Sequence, residues 1–232
     1  MKYGAGPWSG WVINRYPLLI FDWDGTLVDS IARIVESIHV AEAACDLAPQ
    51  SDEAIRGIIG LSLSEAFCVL YPHVIDDGRL VEHFRAAYSD HYLALESEPS
   101  LLYPGVADTL AQLRERGHLL AVATGKGRRG LDRVLAGQGW LDFFDVTRCA
   151  DETAGKPDPL MLHEILAFTG HQPGQALMVG DSVFDMQMAQ RAGVDSVAVS
   201  YGAQSEAVLR EWCPRLVVDD FSELDEWLAR CD

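Results

Sequence analysis

Basic residues are scarce in this 232-residue sequence, which has 18 Lys and Arg against 35 Asp and Glu and a formal net charge of −17. Nucleic-acid binding requires clustered Lys and Arg, so this balance argues against it, and against an anionic membrane surface for the same reason. The sequence also lacks an apolar run that approaches the roughly 20 residues of a membrane span. We therefore expect no nucleic-acid partner and no membrane partner.

The cysteines and histidines lack the spacing of metal sites. The five cysteines are an odd number without a C-x-x-C pair, which fits neither a disulfide framework nor a zinc site. The seven histidines show no H-x-x-x-H spacing. Residues 1–16 contain no apolar stretch of signal-peptide length, and we interpret them as an N-terminal extension. These absences predict a cytoplasmic protein with reduced thiols. For the oligomeric state, a monomer and a homodimer are both open.

Short apolar runs of strand length recur along the chain and are followed by helical patterns. Near-continuous apolar strands that alternate with helices are typical of a parallel sheet covered on both faces. The predicted strands are Leu18–Phe21, Leu119–Ala123, Asp145–Cys149, Ala176–Val179, Val197–Val199 and Leu216–Val218. We therefore predict the α/β class, with a Rossmann-like parallel sheet as its core.

One long segment interrupts this alternation. Between Ser30 and Leu102 the sequence shows helical periodicities and no convincing strand, which indicates a helical cap domain inserted after the first strand. We predict the core over residues 17–29 and 103–232, and the cap over residues 30–102. Proline and glycine in Glu98-Pro99-Ser100 and Tyr103-Pro104-Gly105 favour a hinge where the chain returns to the core.

Polar residues follow four of the predicted core strands, at the point where each strand ends. These segments are Asp22-Trp23-Asp24-Gly25-Thr26, Thr124-Gly125-Lys126, Gly155-Lys156-Pro157 and Gly180-Asp181-Ser182-Val183-Phe184-Asp185. The carboxyl ends of parallel strands form the ligand crevice of an open α/β sheet, so we expect these side chains to converge there. Any one segment could be a solvated turn or a helix cap, but the ordered set of four indicates an active site.

This set of side chains suits the hydrolysis of a phosphate monoester, one of the slowest uncatalysed reactions. A carboxylate nucleophile divides the reaction into two displacements through an aspartyl-phosphate. Several acids in one place repel one another and the substrate, so a hard divalent cation with oxygen ligands is required, and Mg²⁺ meets that requirement. A lysine and a hydroxyl would hold the phosphoryl oxygens during transfer.

In order and strand placement these residues resemble the four motifs of the haloacid dehalogenase superfamily. The matching motifs are Asp22-x-Asp24-Gly25-Thr26, Thr124, Lys156 and Gly180-Asp181-x-x-x-Asp185. The helical insertion resembles the cap of the phosphoglycolate phosphatase-like branch of that superfamily. The resemblance covers residues 17–228 and is more specific for the superfamily than for a substrate.

The resemblance also implies a role for each motif residue. Asp22 would be the nucleophile, and Asp24 the general acid/base that protonates the leaving oxygen and then activates water. Mg²⁺ would be held by the carboxylates of Asp22 and Asp181 and by the backbone carbonyl of Asp24, with Asp185 holding Lys156 or a metal-bound water. The residues implied to bind the phosphoryl group are Thr124, Gly125 and Lys156.

The resemblance favours a Mg²⁺-dependent phosphatase that acts on a small phosphorylated metabolite, with phosphoglycolate as the leading candidate. Dehalogenases of this superfamily replace the second acid by an aromatic residue, whereas here Asp24 is present. The alternative is a phosphomutase of the β-phosphoglucomutase type, which the core motifs do not separate from a phosphatase. A signalling receiver has its acidic pair before the acceptor aspartate, which is the reverse of the order found here. The complete set of acids also argues against a scaffold that binds phosphate without catalysis.

Three further signals are weaker. Ser62 and Glu65 have the spacing of a capping box, although Ser62 could instead lie on a loop that reads the substrate. Arg56 could pair with a substrate carboxylate or could be a surface residue. A basic cluster at a predicted helix N-terminus opposes the helix dipole and could either bind an anion or be solvated. Its members are Lys126, Arg128 and Arg129.

Overall fold

The computed structural model describes residues 15–74, 76–95 and 100–231. Most of the predicted N-terminal extension, residues 1–14, lies outside the described residues. Glu98 and Pro99 of the predicted hinge also lie outside them.

A six-stranded sheet forms the core, and all of its neighbouring strands are parallel. The strands are β1 (Leu18–Phe21), β2 (Leu119–Thr124), β3 (Val146–Cys149), β4 (Ala176–Gly180), β5 (Asp195–Val199) and β6 (Leu216–Val218). Their order across the sheet is β3-β2-β1-β4-β5-β6. The predicted α/β fold is confirmed, and the largest shift in a strand boundary is the start of β5, two residues earlier than Val197.

Ten α-helices accompany the sheet in the part of the chain that the structure describes. Four lie within the predicted cap segment, residues 30–102, namely α1 (Ile31–Ala44), α2 (Asp52–Arg56), α3 (Leu63–Leu70) and α4 (Gly78–Leu95). The others are α5 (Val106–Glu115), α6 (Arg128–Gln138), α7 (Leu160–Thr169), α8 (Val183–Ala192), α9 (Glu206–Arg210) and α10 (Ser222–Cys231). Among the described residues, no helix combines the length and apolar character needed to cross a membrane.

The central strand β1 shows why the sheet is covered on both faces. Side chains alternate along a strand, so Leu19 and Phe21 enter one hydrophobic cluster and Leu18 and Ile20 enter another. The first cluster contains residues of α5, α6 and α10, and the second contains residues of α7 and α8. All four β1 side chains are fully buried, which explains the continuous apolar run in the sequence.

The helices α1 to α4 form a helical layer with a hydrophobic cluster of its own. Phe67, Tyr71 and Phe84 pack at its centre, with ring centroids 5.1 to 6.0 Å apart. The two connections to the core run side by side, because the amide of Asp29 donates to the carbonyl of Leu101 at 2.9 Å. No strand of the sheet comes from the described residues of this segment, as the sequence predicted.

Candidate active site

The strand order places a crevice at the carboxyl ends of β1 and β4. From β1 the chain proceeds outward through β2 and β3, and it then returns to build β4, β5 and β6 on the other side. Ligands of open α/β sheets bind at such a reversal of strand order. Asp22 directly follows β1, and its amide donates to the carbonyl of Val179 in β4 at 2.9 Å. Asp181 directly follows β4, so the two carboxylates enter the same crevice.

A buried lysine joins two of the carboxylates. Nζ of Lys156 lies 2.7 Å from Oδ1 of Asp22 and 2.7 Å from Oδ1 of Asp185. Burial by itself would lower the pKa of Lys156, but Asp185 and Asp22 outweigh it and hold this pKa above its usual value. Lys156 therefore stays protonated, although its side chain is fully buried.

The Asp22 carboxyl lies among other acids, and this environment disfavours its ionised form. Burial raises its pKa well above the usual range, the Lys156 ammonium counteracts the rise, and Asp185 and Asp181 add to it. A neighbouring positive charge in addition to Lys156 would therefore favour the ionised form that a nucleophile needs.

Asp181 is held by donors from two other segments. Its Oδ1 accepts from the Thr26 hydroxyl at 3.0 Å, and its Oδ2 accepts from the Ala203 amide at 2.7 Å. Burial and then Asp185 raise the pKa of Asp181 to about 7, against the effect of these donors. Gly25 permits this packing, because a Cβ there would lie 2.2 Å from Oδ2 of Asp181, and its φ of +81° disfavours other residues.

Three buried carboxylates form a potential cation site. Asp22, Asp181 and Asp185 each offer an oxygen, and these oxygens all lie within 4.8 Å of one another. Hard oxygen donors of this kind are the ligands that Mg²⁺ prefers. Asp185 is oriented by Ser182, whose hydroxyl donates to its Oδ2 at 2.7 Å. The side chain of Asp24 is not part of this group.

Asp24 is instead held by two residues outside the carboxylate group. Its Oδ1 accepts from the Ser30 hydroxyl at 2.7 Å, and its Oδ2 lies 3.0 Å from Nζ of Lys126. The Lys126 ammonium also lies 4.7 Å from the ring centroid of Tyr92 in α4. Burial lowers the pKa of Lys126, but Asp24 and the two tyrosines Tyr92 and Tyr88 more than compensate and raise it. Lys126 thus connects the predicted acid/base to the helical layer.

Thr124, the last residue of β2, is almost fully buried at the crevice. Its Oγ1 accepts a hydrogen bond from the Lys126 amide at 3.1 Å. The hydroxyl hydrogen therefore remains available to donate to a phosphoryl oxygen.

A cavity of about 640 Å³ lies between the sheet edge and the helical layer. Asp22, Asp24 and Thr124 line its floor on the core side, and Ile34, Ile38, Ile58 and Ile59 contribute apolar wall from the helical segment. Its volume lies in the range of about 300–1,000 Å³ that is usual for small-molecule sites.

The loop before α3 packs directly on the core. A Cβ at Gly125 would lie 2.6 Å from the carbonyl oxygens of both Gly60 and Leu61, so only glycine permits this approach. Ser62 and Glu65 form the predicted capping box at the start of α3, and Ser62 also lines the cavity. The two interpretations of Ser62 are therefore compatible.

The structure does not bring Arg56 to the cavity. Ile55 is buried in the helical layer, and the adjacent Arg56 is exposed and lines a separate surface groove beside Glu36 and His39 of α1. The basic cluster is also divided, because Arg128 pairs with Glu152 at 2.7 Å, whereas Arg129 lines the cavity.

Several residues that hold the site were not assigned from the sequence. Thr26 and Ser182 lie inside the motifs and could have been recognised as hydrogen-bond donors. The amide of Ala203 and the ring of Tyr92 have no sequence signal, since both reach the site only through the packing of distant segments.

Comparison with known proteins agrees with this fold. The sequence profile of the haloacid dehalogenase-like hydrolases matches residues 19–199. The chain is 34% identical over 212 residues to the "Probable phosphatase IndB" of Dickeya dadantii, covering 90% of this chain and 91% of that protein. It is 30% identical over 220 residues to a phosphoglycolate phosphatase of Psychrobacter arcticus, covering 92% of this chain and 96% of that protein. The chain therefore belongs to the haloacid dehalogenase-like hydrolase family.

Solved structures show the same fold. A putative haloacid dehalogenase-like hydrolase from Bacteroides fragilis superposes with a TM-score of 0.82 at 27% identity, covering 90% of this chain and 99% of that chain. A putative β-phosphoglucomutase from Bacteroides vulgatus has a TM-score of 0.82 at 21% identity, covering 94% of this chain and 90% of that chain. At this identity the similarity shows the fold alone. These findings confirm the predicted superfamily and branch, and the predicted enzyme class of a phosphoric monoester hydrolase.

Proposed function

We propose that this protein is a Mg²⁺-dependent phosphatase that hydrolyses a small phosphate monoester through an aspartyl-phosphate on Asp22. The observation that carries the proposal is the 2.7 Å contact between the buried Lys156 and Asp22, which lines the floor of a cavity together with Asp24. A nucleophile, a cation for the phosphoryl group and an acid/base thus meet at one edge of the sheet.

The carboxylates fit a divalent cation. Asp22, Asp181 and Asp185 are buried with oxygens within 4.8 Å of one another, and burial raises the pKa of both Asp22 and Asp181. We propose that Asp22, Asp181 and the backbone carbonyl of Asp24 hold Mg²⁺, with Asp185 acting through Lys156 or a bound water. When bound, Mg²⁺ would neutralise these acids and the charge on the phosphoryl oxygens.

In the first step Asp22 attacks the phosphorus. Its Oδ1 is held by Lys156, so Oδ2 forms the new bond to phosphorus while the bond to the ester oxygen breaks. Asp24 acts from its protonated form, which still accepts a hydrogen bond from Lys126 at Oδ2, and donates its proton to the leaving oxygen. Thr124 and Lys156 donate hydrogen bonds to the phosphoryl oxygens, and Gly125, which directly follows β2, also lines the cavity.

In the second step water replaces Asp22 on phosphorus. Asp24, now a carboxylate, accepts a proton from the attacking water, and the bond between Asp22 and phosphorus breaks. Inorganic phosphate leaves, and both aspartates return to their starting states. The packing of Gly60 and Leu61 on Gly125 covers this edge and limits the entry of other water.

We keep the predicted division into a core of residues 17–29 and 103–232 and a cap of residues 30–102 as part of this proposal. The separate hydrophobic cluster of the helical segment and its paired connections to the core support it. The cytoplasmic location stays a prediction, which the five free thiols support. The choice between monomer and homodimer also stays open.

The test is a screen of phosphorylated metabolites, beginning with phosphoglycolate, that measures release of inorganic phosphate. Asp22→Asn should abolish release and retain the fold, while Asp142→Asn, at an exposed site outside the cavity, should retain both. Chelation should silence the enzyme, and added Mg²⁺ should restore it. Substantial activity in Asp22→Asn would contradict the nucleophile assignment. Interconversion of sugar phosphates that depends on a bisphosphate primer would favour the phosphomutase alternative.

A further inference from the structure

The loop that follows β5, residues 201–204 and here named the β5 loop, holds the Asp181 carboxylate from two directions. The Ala203 amide donates to Oδ2 of Asp181 at 2.7 Å. The Tyr201 hydroxyl donates to the backbone carbonyl of Thr26 at 2.9 Å, and the Thr26 hydroxyl donates to Oδ1 of Asp181 at 3.0 Å. Each carboxylate oxygen thus has a donor that the β5 loop supplies or holds. Because such an oxygen has two lone pairs, both can still bind a cation.

Gly202 brings the β5 loop into close contact with the site. A Cβ at this position would lie 2.4 Å from Oδ2 of Asp181 and 2.5 Å from the carbonyl oxygen of Gly25. Interiors packed this closely transmit displacements from one segment to the next. A shift of the β5 loop would therefore move Asp181 or the turn at Gly25.

The same loop is attached to the helical layer. The Ala203 side chain is buried in the hydrophobic cluster of that layer. Nε2 of Gln204 donates to the carbonyl of Gly57, which directly follows α2, at 3.4 Å. Oε1 of Gln204 accepts from the amide of Val183, the first residue of α8, at 2.9 Å. The side-chain amide of Gln204 therefore joins the helical layer to the helix that carries Asp185.

Tyr201 also contacts the connection between the helical layer and the core. Its ring centroid lies 4.4 Å from that of Tyr103, the first residue after the predicted cap. The Tyr103 amide donates to the carbonyl of Leu27 at 3.0 Å. Tyr201 thus binds the connection through its ring and the Thr26 segment through its hydroxyl.

From these contacts we propose that Tyr201 and Gln204 are positioning residues that couple Mg²⁺ binding at Asp181 to the docking of the helical layer. The inference rests on the proposed function, because it requires Mg²⁺ at Asp181. Displacement of the layer would pull Ala203 away, and Asp181 would lose a donor that orients it as a ligand. The coupling is reciprocal, so bound Mg²⁺ favours docking by the same free energy.

The test measures Mg²⁺ binding directly, by calorimetry on the metal-free protein without substrate. Tyr201→Phe removes the hydroxyl and keeps the ring that contacts Tyr103. Gln204→Met removes both amide contacts at similar side-chain volume. Thermal unfolding of each variant in a chelator separates a loss of metal affinity from a general loss of stability.

Two matched controls lie at the amino ends of the strands, at the opposite edge of the sheet. Tyr16→Phe removes a hydroxyl that donates to Asp195, the first residue of β5, at 2.7 Å. Gln175→Met, just before β4, removes an Oε1 that accepts from the Gln172 amide at 2.9 Å. Each control loses the same kind of group as its partner variant without a contact to Asp181.

We expect each β5-loop variant to weaken Mg²⁺ binding by about 3- to 10-fold, the effect of one lost hydrogen bond. Each control should stay within about 2-fold of the native protein. The docking is followed by hydrogen exchange of the amides in α2 and α3. Mg²⁺ should slow this exchange in the native protein, and should slow it less in Gln204→Met.

Equal Mg²⁺ affinity in the native protein and both variants, or an equal loss in the controls, would overturn the inference and leave the proposed hydrolysis standing. Exchange in α2 and α3 that Mg²⁺ does not alter would also overturn it. The expected loss of affinity in a protein that releases no phosphate from any screened metabolite would contradict the phosphatase function and leave the coupling standing. A native protein that binds no Mg²⁺ would contradict both.

Discussion

Lys126 and Asp24 form an ion pair of 3.0 Å inside the cavity, between the ring of Tyr92 and the floor of the crevice. Ser30 donates to the other carboxylate oxygen of Asp24, so both oxygens of the proposed acid/base have fixed partners. The side chains of Lys126 and Asp24 are only 12% and 14% exposed, which limits screening by solvent. Lys126 is therefore a positioning residue for Asp24 and a contact between the core and the helical layer.

Replacing Lys126 by Met should lower kcat by about 10- to 100-fold, because a misplaced catalytic group costs about that much. KM should change little, since the lysine acts through Asp24. Steady-state kinetics with the substrate found by the screen provide the measurement, and Lys126→Arg should recover part of the loss. A rise in KM with unchanged kcat would show that Lys126 binds substrate instead.

Gly125→Ala should interfere with the packing of the helical layer on the core. The added Cβ would meet the carbonyl oxygens of Gly60 and Leu61 at 2.6 Å, and backbone atoms do not rotate away as side chains do. We expect kcat/KM to fall by about 10-fold or more through loss of alignment. Gly137→Ala in α6 is the matched control, because nothing lies within 4 Å of its added Cβ. Equal kinetics in the two variants would show that the close packing is not needed for turnover.

Lys156→Met should destabilise the protein strongly in the absence of divalent cations. It leaves the buried carboxylates of Asp22 and Asp185 without their shared cation, and breaking a buried ion pair costs about 3–5 kcal/mol. Urea unfolding in the presence of a chelator measures the loss. Adding Asp185→Asn to Lys156→Met should recover part of it, because one unpaired charge is removed. Additive losses in the double variant would contradict this coupling.

His39 should make the stability of the helical layer depend on pH. It lies 2.8 Å from Glu42 and 2.9 Å from Asp52, and these hydrogen bonds, first that to Asp52, raise the pKa of His39 against a smaller effect of burial. The protonated form is therefore favoured in the folded state. Its stabilisation is complete below the unfolded pKa of about 6.5 and disappears as the pH rises through the higher folded value.

The measurement is the free energy of unfolding of the native protein minus that of His39→Gln, at pH 5.5 and pH 9. We expect this difference to be larger at pH 5.5 by on the order of 1 kcal/mol, the upper end for partly exposed pairs. A difference that is equal at the two pH values, or larger at pH 9, would show that these contacts do not stabilise the charged histidine.

The strands were predictable because strands buried on both faces appear in the sequence as short runs of apolar residues. The runs Leu18–Phe21 and Leu216–Val218 became strands with those boundaries. The ends of α7 and α8 were also predictable, because each helical pattern in the sequence is followed by a glycine. Gly170 and Gly193 adopt the left-handed conformation that terminates a helix. Each of these signals involves residues within one or two turns of the chain.

The site was predictable only in part. Asp22 and Lys156 are far apart in sequence, but both follow strands of one parallel sheet, so the sheet rule brings them together. The pairing of Lys126 with Asp24 and the placement of Arg56 on the other side of α2 depend on how the helical segment packs on the core. No local periodicity encodes that packing.

The sequence by itself determined the α/β core, the helical insertion and the set of acids, hydroxyl and lysine at the sheet edge, because strand burial and strand-end position are local properties. Only the tertiary structure decided that Lys126 pairs with Asp24. It also decided that Arg129 lines the cavity while Arg128 pairs with Glu152. Ion pairs form over a few ångströms, and such distances are set by the docking of the helical layer on the sheet rather than by spacing along the chain.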